Sequence, residues 1–230
     1  MKEVLLFSGG PDALIAYEYL NHPDALYVRH DCKYEPKQIA AVEELKHLLN
    51  VDNIRLSPTM INLSLFEQED SNIPLRNLYL IMYAANMGYD NINIVMQLGE
   101  RSLSDRSEIF VIEAESLLSH TLQRPIIISP VFPHWTKQDM VSWYIESGHD
   151  VEILKETVSC FNPTVHNCGE CKACLRRWIA FEYNNIHEDY TNDITKWTGT
   201  KECIRKMKNG EYDYRRAQQT LEVLKRHGLV

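Results

Sequence analysis

At 230 residues, 44% hydrophobic and 24% charged, the chain has the make-up of an ordinary globular protein, and nine Gly and nine Pro exclude collagen-like and low-complexity classes. A formal net charge of −8 argues against gripping nucleic-acid backbones through bulk charge. No apolar run approaches the ~20 residues that span a bilayer, and Met1-Lys2-Glu3-Val4 opens a short strand rather than a signal peptide. A cytoplasmic setting is therefore expected, with the six cysteines as reduced thiols, metal ligands or reactive groups.

The length predicts one domain with an extension. Charge is uneven: residues 196–230 carry nine Lys and Arg against four Asp and Glu, which is +5, leaving −13 on residues 1–195. A basic tail docked on its own acidic body is preferred over a nucleic-acid arm.

Strands and helices alternate along the chain. Val4–Phe7 is an apolar run ending at Gly9-Gly10, a buried strand, and 12–20 follows as a helix. Ala25–Val28 is a second strand, and Pro36 opens a helix to Leu49 with Ile39, Val42, Leu45 and Leu49 on one stripe. Asn53–Leu56 is a third strand. A helix over Leu75–Met87 stops at Gly88, and Asn91–Met96 is a fourth strand. A longer helix is expected over Ser104–Leu122, then a strand at Ile126–Ser129. Thr136-Lys137-Gln138-Asp139 resembles a capping box opening a helix that Gly148 closes. Beyond residue 155 come a cysteine-rich loop, a helix, and a terminal helix over 220–226. Five strands separated by helices predict an α/β fold with a doubly wound, mainly parallel five-stranded sheet. Ligands in such sheets bind beyond the carboxyl ends of strands.

The first motif is Ser8-Gly9-Gly10-Pro11-Asp12. A strand that turns through glycines directly into a helix offers several backbone N–H groups to a phosphate, reinforced by the helix N-terminus. Asp12 suits either capping N–H groups or holding Mg²⁺ between phosphates. The same residues equally suit a plain tight turn. The Walker P-loop and the dinucleotide fingerprint G-x-G-x-x-G are both absent.

The second motif is Cys160, Cys168, Cys171 and Cys174, four thiols within fifteen residues. Four thiolates surround Zn²⁺ tetrahedrally and leave no open position, so one structural zinc per chain is expected. An iron–sulfur cluster is the main rival, weakened by the missing Cys-Pro that ends ferredoxin-like runs, and a redox Cys-x-x-Cys pair is the next. His166 could stand in as a ligand. Cys32 and Cys203 read as ordinary thiols.

These motifs, in this order, resemble the 7-cyano-7-deazaguanine synthase family of pyrophosphatase-loop ATP enzymes, over roughly residues 3–183. The glycine loop resembles the family's SGGxDS, with Ala13 in place of its last serine. Ile73-Pro74-Leu75-Arg76-Asn77 resembles V-P-x-R-N, and Asp105-Arg106 falls where the family has Asp-Cys-Arg. Pro130 to Lys137 resembles P-L…T-K, Glu156 to Phe161 resembles E-T-x-T-C-Y, and Cys168 to Arg176 resembles C-G-x-C-x-A-C-x-x-R. Two stretches depart from the family: Asp31-Cys32-Lys33-Tyr34 replaces Y-G-Q, and Glu100 to Arg106 is shortened and altered.

The resemblance implies an adenine-nucleotide-hydrolase-like fold and a carbon–nitrogen ligase. ATP, Mg²⁺ and ammonia would convert 7-carboxy-7-deazaguanine to the 7-cyano base through an adenylated intermediate. Ser8, Gly9, Gly10, Asp12 and Lys137 would serve ATP, although Lys137 equally suits a solvent-facing position. Arg76, Asn77, Asp105 and Arg106 would hold the deazapurine, with helix capping the rival role for Asp105. It further implies a possible homodimer, while the acidic charge and the lack of a spanning apolar run lead to the expectation of no direct nucleic-acid partner and no membrane. Residues 1–155 would form the ATP-binding domain, 156–184 the zinc segment and 185–230 a helical extension. The altered stretches leave an amide-forming ligase open, and Ala13 leaves a catalytically impaired nucleotide-binding scaffold open.

Overall fold

A computed structural model describes residues 1–98 and 104–230. Its strands are β1 (Glu3–Leu6), β2 (Ala25–Tyr27), β3 (His30–Asp31), β4 (Ile54–Leu56), β5 (Ile61–Asn62), β6 (Asn91–Val95) and β7 (Ile127–Val131). Five form one parallel sheet in the order β4-β2-β1-β6-β7, and β3 pairs with β5 in parallel beside it. The expected five-stranded parallel sheet is therefore present. The short β3–β5 pair was not expected, because two-residue strands carry no periodicity to read.

The helices are α1 (Pro11–Tyr19), α2 (Glu35–Leu49), α3 (Arg76–Asn86), α4 (Glu108–Leu122), α5 (Lys137–Glu146), α6 (Val151–Lys155), α7 (Lys172–Tyr183), α8 (Thr198–Lys208) and α9 (Tyr214–Arg226). Side chains alternate across the sheet. Leu5 and Tyr27 bury against Leu14 of α1, Val42 of α2 and Met140 of α5. Val4, Leu26 and Ile92 bury against Ile81 of α3 and Val111 of α4 on the other face. Helices thus cover both faces, the doubly wound arrangement. No helix among the described residues is long and apolar enough to cross a membrane.

Two helix starts differ from expectation. Ser104–Arg106 forms a separate 3₁₀ turn, and α4 begins only after Ser107, whose hydroxyl accepts from Phe110 N at 3.1 Å. Serine caps well because its short side chain reaches back to the first turn; the cap is Ser107 and not Asp105. The terminal helix starts six residues earlier than expected, capped by Asp213. The capping box at Thr136 and Asp139 forms in both directions, at 2.9 and 3.1 Å.

A third core joins the cysteine segment to the C-terminal helices. Cys160 and Cys174 share it with Leu175 and Trp178 of α7, Cys203 of α8, and Val223 and Leu224 of α9. Backbone contacts reinforce it: Thr191 N donates to Asn167 O at 2.9 Å and Asn192 N to Cys168 O at 3.1 Å. Gly169 has φ +77°, and a Cβ there would lie 2.1 Å from Asn192 O, so only glycine fits. The basic tail does dock on the acidic body: Arg215 Nη2 and Gln219 Nε2 donate to Asp139 Oδ1 at 2.9 and 2.7 Å.

Candidate functional site

Because β2 and β4 lie on one side of β1 while β6 and β7 lie on the other, the chain reverses direction between β1 and β6. A crevice opens outside the carboxyl ends at such a point. Here it is a cleft of about 500 Å³, and the segments after β1 and β6 both border it.

The glycine loop leaves β1 at its floor. Gly9 has φ +72°, and a Cβ on it would sit 3.0 Å from Gln38 O and 3.2 Å from Val42 Cγ2, so its freedom is spent on packing against α2. Gly10 is the N-cap of α1, Pro11 fills the first turn, and no side chain caps this end. Ala13 N and Leu14 N both donate to Gly10 O at 3.1 Å, Gly10 N reaches Ser8 Oγ at 3.4 Å, and Ser8, Gly10, Pro11, Asp12 and Ala13 line the cleft.

Asp12 is engaged from two elements. Lys137 Nζ, from the first turn of α5, donates to its Oδ1 and Oδ2 at 2.5 and 2.6 Å. Gln97 Nε2, just after β6, donates to Oδ2 at 3.1 Å. Three strand ends therefore meet on one carboxylate. Lys137 is only 13% exposed and lines the cleft, so it is not a solvent-facing lysine.

Across the cleft stand Arg76, Asn77 and Arg106. Arg76 Nη1 donates to the Tyr34 hydroxyl at 3.2 Å, and burial pushes the Tyr34 phenol above its usual range. Asn77 Nδ2 donates to the backbone carbonyl of Asp105 at 3.1 Å, tying the 3₁₀ turn to α3. Of the nine sequence-nominated residues outside the cysteines, the cleft wall includes Ser8, Gly10, Asp12, Lys137, Arg76, Asn77 and Arg106. Gly9 and Asp105 sit behind it. Of the altered stretch, Glu100 to Leu103 lies outside the described residues.

Sequence reasoning missed several wall residues. His30 is buried, with Nδ1 2.8 Å from Val28 O and its backbone N–H donating to Glu35 Oε1 at 2.8 Å. Burial lowers its pKa, with the nearby Arg76 acting the same way and the hydrogen bond to Val28 O opposing them. Gln97, Ser159 and Arg176 were also missed. A single polar side chain leaves no spacing signal, whether in a loop as Gln97 and Ser159, in a strand as His30 or in a helix as Arg176. Gln97, Lys137, Lys172 and Arg176 are shared with a second cleft of about 630 Å³ bounded by α7, α8 and α9.

The four cysteines converge. Their Sγ atoms all lie within 4.8 Å of one another, and Cys168 Sγ is 3.9 Å from Cys174 Sγ. Tetrahedral Zn²⁺ at about 2.3 Å from each sulfur requires separations of about 3.8 Å, so the set fits the metal. Backbone N–H groups point at three of the sulfurs: Asn162 and Cys168 at Cys160 Sγ (3.3 and 3.4 Å), Glu170 at Cys168 Sγ, and Cys174 at Cys171 Sγ (both 3.3 Å). Such donors favour thiolates. Hydrogen bonds from Cys171 and Cys174 hold Cys160 far below the usual thiol range, and those with Cys160 and Cys171 drive Cys174 above it. Cys32, by contrast, is pushed up to about 11 by burial and stays a thiol.

Two anchors tie the metal loop to the cleft. Lys37 of α2 donates from Nζ to Asn162 O and Val165 O at 2.7 and 2.6 Å. Val158 N donates to Gly9 O at 2.9 Å, two residues before the ligand Cys160.

Fold and site together define a doubly wound parallel α/β protein with a loop-lined cleft at its switch point and a four-cysteine metal segment beside it. The chain belongs to the family of the queuosine biosynthesis protein QueC, whose model matches residues 2–185. It is 26% identical over 200 residues to 7-cyano-7-deazaguanine synthase 1 of Sulfurisphaera tokodaii, covering 82% of this chain and 96% of the relative. It is 22% identical over 223 residues to the 7-cyano-7-deazaguanine synthase of Rickettsia conorii, covering 81% and 96%. To that of Persephonella marina it is 26% identical over 163 residues, covering 65% and 70%.

Proposed function

We propose that the protein is an ATP-dependent carbon–nitrogen ligase of the cytoplasm that makes 7-cyano-7-deazaguanine from 7-carboxy-7-deazaguanine and ammonia. The observation that carries this reading is the meeting of the glycine loop, Asp12, Lys137 and Gln97 in one cleft with Arg76, Asn77 and Arg106, in a chain of the QueC family.

A carboxylate resists nucleophiles because of its charge. Transfer of AMP to it releases pyrophosphate and leaves a mixed anhydride; ammonia then displaces AMP to give the amide. A second ATP activates the amide oxygen, and departure of AMP with loss of the remaining N–H protons leaves the nitrile. Ser8 Oγ and the N–H groups around Gly9 and Gly10 donate to phosphate oxygens. Lys137 follows the charge that builds on the leaving pyrophosphate. Mg²⁺ arriving with ATP would be held by Asp12 and would neutralise phosphate charge. Arg106 pairs with the reacting carboxylate, while Arg76, Asn77 and the Asp105 segment orient the heterocycle. Cys160, Cys168, Cys171 and Cys174 would hold a zinc ion that fixes the loop, and four protein ligands would leave no open position on it for substrate. A homodimer would cover the exposed Ile109, Ile112 and Leu117 of α4.

Incubation with ATP, Mg²⁺, ammonium and 7-carboxy-7-deazaguanine, followed by mass analysis, tests the reading. The expected product is the nitrile, one water lighter than the amide, with AMP and pyrophosphate. Amide alone selects the amide-forming ligase. Nucleotide binding without pyrophosphate or AMP selects the scaffold.

A further inference from the structure

The segment from Thr157 to Cys160 runs between the two sites. Thr157 is fixed by the buried Arg177, whose Nη1 donates to its carbonyl and hydroxyl oxygens, both at 2.8 Å. Val158 is fixed on the glycine loop through Gly9 O, and a Cβ on Gly10 would meet Val158 O at 3.3 Å. Cys160 is fixed in the metal set. Ser159, between them, lines the switch-point cleft. Its Oγ exposes less than 1 Å² and has no hydrogen-bond partner.

A buried hydroxyl without a partner is destabilising, and a built cleft beside it is the natural place for that partner. No hydrogen bond holds the side chain in its present rotamer, so rotation about χ1 into the cleft sacrifices nothing. Its neighbour Val158 is bonded to Gly9 O, and Ser159 lines the same cleft as Ser8 and Gly10 of the loop proposed to take phosphates.

We propose that Ser159 is a phosphate-binding residue of the cleft, its hydroxyl donating to a non-bridging oxygen of the bound nucleoside triphosphate from the side opposite α1. This rests on the reading of the cleft as a nucleotide site.

Equilibrium binding of Mg-ATP, of inorganic pyrophosphate and of 7-carboxy-7-deazaguanine to the zinc-loaded full chain tests it, with Ser159→Ala and Ser159→Thr. Ser159→Ala is expected to weaken ATP and pyrophosphate roughly tenfold, as loss of a hydrogen bond to a charged group does, with binding of the heterocyclic acid and zinc content unchanged and the melting temperature no lower. Ser159→Thr, which keeps the hydroxyl, is expected to bind within about threefold of the parent. Unchanged phosphate binding in Ser159→Ala overturns the proposal, as does weakening of the acid alone. A threonine variant as weak as the alanine one also overturns it, because packing of the segment would then be the cause. Failure of the parent itself to bind ATP or pyrophosphate overturns the nucleotide reading beneath it.

Discussion

Arg177 and Glu188 form a two-pronged ion pair out of solvent: Nε reaches Oε2 at 2.7 Å and Nη2 reaches Oε1 at 2.6 Å, with Arg177 fully buried. The remaining guanidinium protons go to Thr157 and to Lys155 O, and the guanidinium carbon lies 4.4 Å from the Phe181 ring centre. No donor is left over. Removing the arginine would strand a buried carboxylate, so Arg177→Ala is expected to lower unfolding stability by about 3–5 kcal/mol. Arg177→Lys should recover little of it, because an ammonium cannot serve the fork. Denaturant melts of the three proteins check both statements.

Lys137→Ala is expected to reduce kcat/KM for pyrophosphate release roughly 10²–10³-fold, the usual loss for one group aimed at developing charge. The melting temperature should change little. An equal rate in the variant would return Lys137 to a structural partner of Asp12.

Metal analysis should find one zinc per chain, and iron with sulfide would falsify the four-thiolate assignment. Because the ligands must be deprotonated, zinc should be released as the pH falls, and a chelator should lower the melting temperature. Trp178 shares a core with Cys160 and Cys174, so its fluorescence should report the loss.

His30 gives stability a pH dependence of known sign. Burial lowers its folded-state pKa below the unfolded value of about 6.5. Below that pH the unfolded chain binds a proton the fold refuses, so the contribution is complete above about 6.5 and is lost as the pH falls toward the folded pKa. Glu35, whose pKa burial raises, acts in the opposite direction from a lower starting value. Chemical melts of the parent and of His30→Gln between pH 7 and 5.5 should show the parent losing stability faster. Parallel curves would refute the assignment.

Leu224 of α9 is fully buried in the core it shares with the cysteine segment. Leu224→Ala is expected to cost about 2–5 kcal/mol, read by urea titration. A negligible cost would mean that α9 frays from α7 in solution.

Much of this molecule could be read in advance where a local rule governs. Apolar strands alternating with helices, punctuated by Gly9-Gly10 after the first strand and Gly88 after a helix, announce the sheet, and four cysteines at close spacing announce the metal set. Other features depend on chain reversal. The Lys37 grip on the carbonyls of 162 and 165, the burial of Arg177 and the orphaned Ser159 hydroxyl join residues far apart in sequence, and none leaves a periodic trace. Helix α8 escaped because its buried face includes only Thr200 and Cys203. The start of α4 was misplaced because Ser104 and Ser107 are both plausible caps, and only tertiary packing selects the second.

Gly169 carries a practical lesson for anyone trimming this protein. With the backbones of 169 and 192 too close for even a methyl group between them, the cysteine loop has been shaped around a segment that the family model, ending at residue 185, does not cover. A shortened version cut at that limit would keep every conspicuous motif and yet lose the surface against which its metal loop is moulded.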